Sequence, residues 1–152
     1  MTEFALQKER KGAEELPGFV LERASKRMKQ YFQEQLQLAG CGITIDQWVV
    51  LQELKKQDGL SQLEIARATF KDAPTVTRIM DLLCDKQLTR RVIDPEDRRR
   101  FRIELTEAGH AKIKEALPII REAREKAWQG FDERKLEKLM EMLNEVFENL
   151  KP

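Results

Sequence analysis

The stretch DAPTVTRIMDLLCDKQLTRRVIDPEDRRRFRIEL, residues 72–105, changes its hydrophobic period halfway along. In its first part Asp72 is placed to cap a helix, and Pro74 falls in the first turn, where a missing N–H costs little. At 100° per residue Val76, Ile79, Met80 and Leu83 share one side, while Pro74, Arg78, Asp81 and Asp85 lie opposite, flanked by Thr75 and Thr77. This predicts a helix to about Lys86. Beyond it the period drops to two. Residues 88–93 are bounded by Asp94-Pro95, and over 99–105 Phe101, Ile103 and Leu105 alternate with Arg100, Arg102 and Glu104. Alternation around a Pro/Asp/Glu turn reads as a β-hairpin with a charged tip.

Outward from this stretch the chain is helical. Ser61 with Glu64 is a capping box opening the short helix SQLEIARATF, whose apolar positions are Leu63, Ile65 and Ala66. Thr44 with Gln47 is a second box, and the helix it opens turns Trp48, Leu51 and Leu54 inward. Before it, Phe19, Val20, Ala24, Met28, Tyr31, Phe32 and Leu36 recur with a 3.6 period, and Gly40 and Gly42 end that helix. After the hairpin, Thr106 caps a long helix that Gly109 interrupts and Pro118 is expected to kink. Asp132 caps the last helix, with the stripe Leu136, Leu139/Met140, Leu143, Val146/Phe147 and Leu150. Two short helices and a basic hairpin make a winged helix-turn-helix. The expected fold class is therefore mainly α with a small β-hairpin wing. Residues 43–105 would be the DNA-binding domain, and the helices in 1–42 and 106–152 would be dimerisation regions.

Composition narrows the function. With 28 Lys+Arg against 27 Asp+Glu the net charge is +1, which on its face argues against a nucleic-acid partner. By segment, residues 1–60 hold 9 basic and 9 acidic side chains, 61–102 hold 10 and 7, and 103–152 hold 9 and 11, giving 0, +3 and −2. The positive part lies around residues 88–102, where six arginines face three acids. No apolar run reaches the ~18–20 residues of a membrane span. The charged N-terminus lacks the apolar stretch of a secretory signal, so a cytoplasmic location is expected and a disulfide is not. Cys41 and Cys84 form no ligand pattern, and the single His110 excludes sites needing two histidines, so neither metal nor cofactor is expected. No nucleophile or acid–base constellation marks an enzyme.

A recognition helix needs a small polar face, so that it enters a major groove ~12 Å wide and its N-terminal residues reach base edges. Thr75, Thr77 and Arg78 suit that task, and an ordinary solvated face fits the same pattern. Arginine at a hairpin tip inserts into a minor groove or clamps phosphate, and Arg98, Arg99 and Arg100 sit there with Arg90 and Arg91 on the incoming strand. The alternative is a solvated turn neutralised by Asp94, Glu96 and Asp97.

DPEDRRRFRIELTEAG (94–109) resembles the D-x-x-D-x-R wing and following L-T-x-x-G of the MarR family of bacterial transcription regulators. ITIDQWVVLQEL and LSQLEIARATFKDAPTVTRIMDLLCDKQLTRR resemble the family's first domain helix and its helix-turn-helix. The resemblance covers about residues 43–110. It implies a homodimeric winged-helix repressor on a pseudo-palindromic duplex, with a ligand or redox signal altering the spacing of two DNA-reading lobes. Pro74, Thr75, Thr77 and Arg78 match the family's recognition helix, and Arg98, Arg99 and Arg100 its wing. Gln87 departs from the family, where a glycine commonly precedes the wing, so a locally different helix end is expected. Asp81 and Asp85 add an acidic face, and Asp81 is expected to pair with a wing arginine.

The apolar stripe Leu136, Leu139, Leu143, Val146, Phe147 and Leu150, with Phe19 at the other end of the chain, fits a helix–helix seam between two copies. Phe19, Tyr31, Phe32, Trp48, Trp128 and Phe131 fit equally a crevice for a small aromatic effector and the core. Cys41 and Cys84 read as small, partly buried residues, and thiol sensing by either is left open. A winged-helix module that binds protein instead of DNA remains the alternative function.

Overall fold

A computed structural model describes residues 16–152 together with Gly12; most of the charged N-terminal stretch lies outside the described residues. Helix α1 (Pro17–Leu38) is followed by α2 (Ile45–Lys56), α3 (Gln62–Thr69) and α4 (Ala73–Asp85). Strands β1 (Thr89–Ile93) and β2 (Phe101–Leu105) form the hairpin, and α5 (Glu107–Ala127) and α6 (Glu133–Asn149) complete the chain. The strands are antiparallel, with Thr89 opposite Leu105 and Ile93 opposite Phe101. Leu60 adds a one-residue bridge to Ile103, so the α2–α3 loop closes the inner edge of the hairpin.

Local chemistry sets the helix starts. Both capping boxes form: Thr44 accepts from the Gln47 N–H and Ser61 from the Glu64 N–H, each reciprocated by the Gln or Glu side chain. Asp72, Thr106 and Asp132 cap α4, α5 and α6 from one side only, each accepting the N–H three residues on with no side chain reaching back to the cap's own N–H. Three helix ends share one device. After α1 the Cys41 N–H bonds the Leu36 carbonyl and the Gly40 N–H that of Gln37, with Gly40 at φ +64°. This is a Schellman end, and glycine suits its left-handed residue. After α3 and α4 the left-handed residues are Phe70 (φ 53°) and Gln87 (φ 60°). The α4 end is therefore not altered by the missing glycine. The Leu88 N–H still reaches the Leu83 carbonyl, and Gln87 bears the backbone strain.

One core runs from Leu36 through Trp48, Leu51, Leu54, Ile65, Val76, Met80, Leu83 and Ile103 to Ile113 and Ile120. Helix α5 joins it to the wing at Gly109, where any Cβ would collide with the Leu88 carbonyl oxygen. Pro118 lies inside an uninterrupted α5. Leu63, expected among the apolar positions of α3, is exposed. A helix this short buries one narrow face, and Ile65 and Ala66 occupy it. Phe101 shares a strand face with Ile103 and Leu105 as expected, yet it lies past the protein body and is exposed. Helix α6 buries no residue within the protomer: Leu136 and Leu139 are half-buried, and Leu143, Val146, Phe147 and Leu150 are exposed. Among the described residues no helix is long and apolar enough to cross a membrane.

Candidate nucleic-acid interface

Helix α4 is fixed before it meets anything. Asp72 accepts the Thr75 N–H, and that bond holds its carboxyl below the ordinary carboxylate value. Val76, Ile79, Met80 and Leu83 lock the inner face into the core. At the far end Lys86 donates to the Gly42 carbonyl and to Gln47 Oε1, both at 2.8 Å. Partial burial, with some repulsion from Lys112, lowers the Lys86 pKa.

The outward arc then divides. Pro74, Thr77 and Arg78 are exposed and Thr75 is half-buried. Thr77 and Asp81 turn toward the wing. Thr77 Oγ1 donates to the Ala73 carbonyl and accepts from Gln62 Nε2 at 3.1 Å. Arg91, on β1, donates to Gln62 Oε1 (3.2 Å) and to Asp81 Oδ1 (2.6 Å). The expected pairing of Asp81 with a wing arginine is thus present, and Arg91 is its partner. Through these four side chains α3, α4 and β1 hold one another in one frame.

Arg78 turns the other way, into a crevice of ≈ 680 Å³ between α1, the start of α2 and α4, together with Lys26, Lys29, Gln33 and Leu82. Here Asp46 bridges Lys29 of α1 (3.0 Å) and Lys71 of the α3–α4 turn (2.8 Å). Burial alone would raise the Asp46 pKa, but hydrogen bonds and charge from Lys71 and Lys29 outweigh it and lower the value. Among the described residues Arg78 joins no ion pair.

The wing tip shows what its acids do. The Asp94 N–H bonds the Arg100 carbonyl and the Arg100 N–H that of Asp97. Asp94 accepts the Glu96 N–H (2.9 Å) and pairs with Arg102, while Asp97 accepts the Arg99 N–H (3.0 Å) and its Nε (3.3 Å). Asp94 and Asp97 therefore brace the turn instead of merely neutralising it. Arg98 and Arg100 stay exposed and, among the described residues, in no ion pair, so the tip presents cations on a fixed loop.

Sequence reasoning missed Gln62, whose amide joins Thr77 to Arg91, and the α1 lysines facing Arg78. Gln62 followed a helix-capping serine and carried no further signal. Of the aromatic set, Trp48 and Phe32 are core residues. Tyr31, Trp128 and Phe131 line an apolar groove of ≈ 1170 Å³ between α1, the end of α5 and α6, with Leu139 and Leu143 beside them. Phe19 is exposed on α1 outside that lining. Cys41 is fully buried, and burial first, then Glu115, raises its pKa, so it stays a thiol. Cys84 is half-buried, 3.4 Å from Thr89 Oγ1.

Comparison with known proteins bears on the family and the fold. A model of the MarR family matches residues 43–101. The chain is 34% identical over 110 residues to the HTH-type transcriptional repressor NicR of Pseudomonas putida, covering 71% of this chain and 67% of that relative. Among solved structures it resembles Bordetella bronchiseptica BpsR, described for regulation of its DNA binding by 6-hydroxynicotinic acid. That likeness has a TM-score of 0.82 and 26% identity, over 90% of this chain and 96% of that one. It also resembles S. aureus MepR in complex with DNA, with a TM-score of 0.81 and 27% identity, over 92% and 100%.

Proposed function

Since the chain belongs to the MarR family, we infer that it is a sequence-specific DNA-binding transcriptional regulator, a homodimeric repressor that occupies operator DNA and responds to a small-molecule effector. The observation that carries this reading is the join between α4 and the wing: Arg91 on Asp81 and Gln62 sets a groove-sized helix and an arginine tip in one rigid frame. We assign base contacts to Pro74, Thr75, Thr77 and Arg78 in the major groove. Phosphate or minor-groove contacts fall to Arg98, Arg99 and Arg100.

We assign dimerisation to the regions 1–42 and 106–152, flanking the DNA-binding region 43–105. The stripe of α6 and Phe19 on α1 support this, since a helix that buries nothing in its own protomer leaves its apolar face for a second copy. Two copies related by a twofold axis read half-sites one helical turn, ~10 bp, apart. For the effector we propose an aromatic acid, by analogy with the 6-hydroxynicotinic acid of BpsR. A carboxylate in the crevice beside Lys26, Lys29 and Arg78 would draw Arg78 from DNA. For its location we propose the cytoplasm, where the operator DNA of a bacterial regulator lies.

Selection of genomic fragments on the immobilised full chain tests the reading. Enrichment of one inverted repeat, bound by a dimer and displaced poorly by random duplex, is expected. Retention of no fragment above background, with a dimeric folded protein, would overturn it in favour of a protein-binding module.

A further inference from the structure

Two apolar side chains of the wing meet nothing in the protomer that explains them. Ile93 and Phe101 are the outermost pair of the hairpin, directly opposite in register, and remain 56% and 51% exposed. Alternation puts them on the ribbon face that also carries Thr89, Arg91, Ile103 and Leu105. At its base this face is covered by the body: Thr89, Ile103 and Leu105 are buried, and Arg91 is held by Asp81 of α4 and Gln62 of α3. One row further out, Ile93 and Phe101 on the same face are left about half exposed. Phe101 directly follows Arg100, so the apolar row lies between the anchored Arg91 and the cationic tip.

The surroundings select what can cover this row. Arg98 and Arg100, exposed and in no ion pair among the described residues, stand next to it at the tip, a local charge that draws a polyanion and disfavours a neutral apolar protein surface. A duplex with α4 in its major groove runs its backbone toward the adjacent minor groove beneath the wing. Between phosphates, a minor-groove wall offers the carbon edges of deoxyribose rings. We propose that Ile93 and Phe101 form an apolar seat for that deoxyribose wall, setting how deep the arginine tip enters the minor groove. The assignment rests on the DNA-binding reading above. The seat adds contact without charge, while the tip adds charge, and the two leave different marks on binding.

The test compares the wild type, an Ile93→Thr/Phe101→Ser double variant and Arg99→Ala on the selected operator, by fluorescence anisotropy across a salt series and by hydroxyl-radical cleavage, which reports burial of sugar hydrogens. The double variant should bind about tenfold more weakly at every salt concentration, with the slope of log affinity against log salt unchanged. Arg99→Ala should make that slope shallower by about 0.9. The double variant should regain cleavage at the sugars under the wing and keep protection under α4. Its thermal midpoint should match the wild type, because the pair is exposed in the protomer; Phe101→Leu, which keeps an apolar side chain, should retain most of the affinity. Should the double variant unfold, the Phe101→Ser and Phe101→Leu single variants carry the same comparison. Equal affinity and footprint would refute the seat, as would a loss of protection spread evenly over the whole site. A wild type that protects no selected fragment would instead refute the DNA-binding reading itself.

Discussion

Replacing Gln87 by glycine should stabilise this protein, although it removes a side chain and adds none. Gln87 sits at φ +60° between α4 and the wing, its N–H bonded to the Cys84 carbonyl and its own carbonyl accepting from Thr106 Oγ1 at 2.7 Å. Holding a residue with a Cβ in that region costs about 1–2 kcal/mol. Glycine removes that cost but adds freedom to the unfolded chain worth about 0.4–1 kcal/mol. The difference favours glycine by roughly 0.5–1 kcal/mol. For a chain of this size that is a rise of roughly 1–4 °C in Tm. Nothing offsets it, since the Gln87 side chain is exposed and makes no hydrogen bond among the described residues. Urea unfolding at matched protein concentration gives the sign, matched because a dimer's stability depends on concentration. Gln87→Val should be destabilised, and operator affinity of Gln87→Gly should stay within about twofold, a small fraction of a tenfold step. A less stable Gln87→Gly with unchanged m would refute the reasoning. Phe70 offers a contrast at φ +53°: its ring lies edge-on to Phe147 at 5.7 Å, so Phe70→Gly relieves strain but forfeits that contact.

Three further outcomes follow from the packing and charges. Gly109→Ala should cost about 1–3 kcal/mol, because its Cβ meets the Leu88 carbonyl and forces α5 from the wing; a urea midpoint equal to wild type would contradict this. Asp46→Asn should cost about 1 kcal/mol near neutral pH by losing its bridge to Lys29 and Lys71. The folded pKa of Asp46 is lowered, so its contribution is present above the ordinary value of 3.8 and vanishes as pH falls through the lower folded value. Wild-type and variant unfolding curves should therefore converge in acid, and a constant gap would refute the assignment. Leu143→Arg with Val146→Arg should leave helicity intact but shift sedimentation from dimer to monomer; an unchanged dimer would move the interface off α6.

What was legible in the sequence was local. The Thr44, Ser61, Asp72, Thr106 and Asp132 caps each act within three residues, and all five form. The faces of α4 and the alternation of β2 likewise follow from periodicity. The family motif pointed to the tip, and the structure adds why its two aspartates are there: they hold the turn that presents the arginines. What stayed hidden spans the chain. Lys71 meets Asp46 across 25 positions and Arg91 meets Gln62 across 29, and no periodicity encodes either contact. The exposure of Leu63 and Phe101 depends on where neighbouring elements stop. The left-handed Phe70 was invisible because the motif is marked by glycine; at Gln87 the missing glycine suggested a different helix end, whereas the same end forms with glutamine in the left-handed conformation.

The most direct test is the affinity of the wild type, Arg78→Ala and Arg99→Ala for operator and random duplex between ~50 and ~200 mM salt. Wild-type affinity should fall steeply with salt, Arg78→Ala should lose discrimination between the duplexes, and Arg99→Ala should weaken both alike with a shallower slope. Variants that bind both duplexes as the wild type does would contradict the placement of α4 and the wing on DNA.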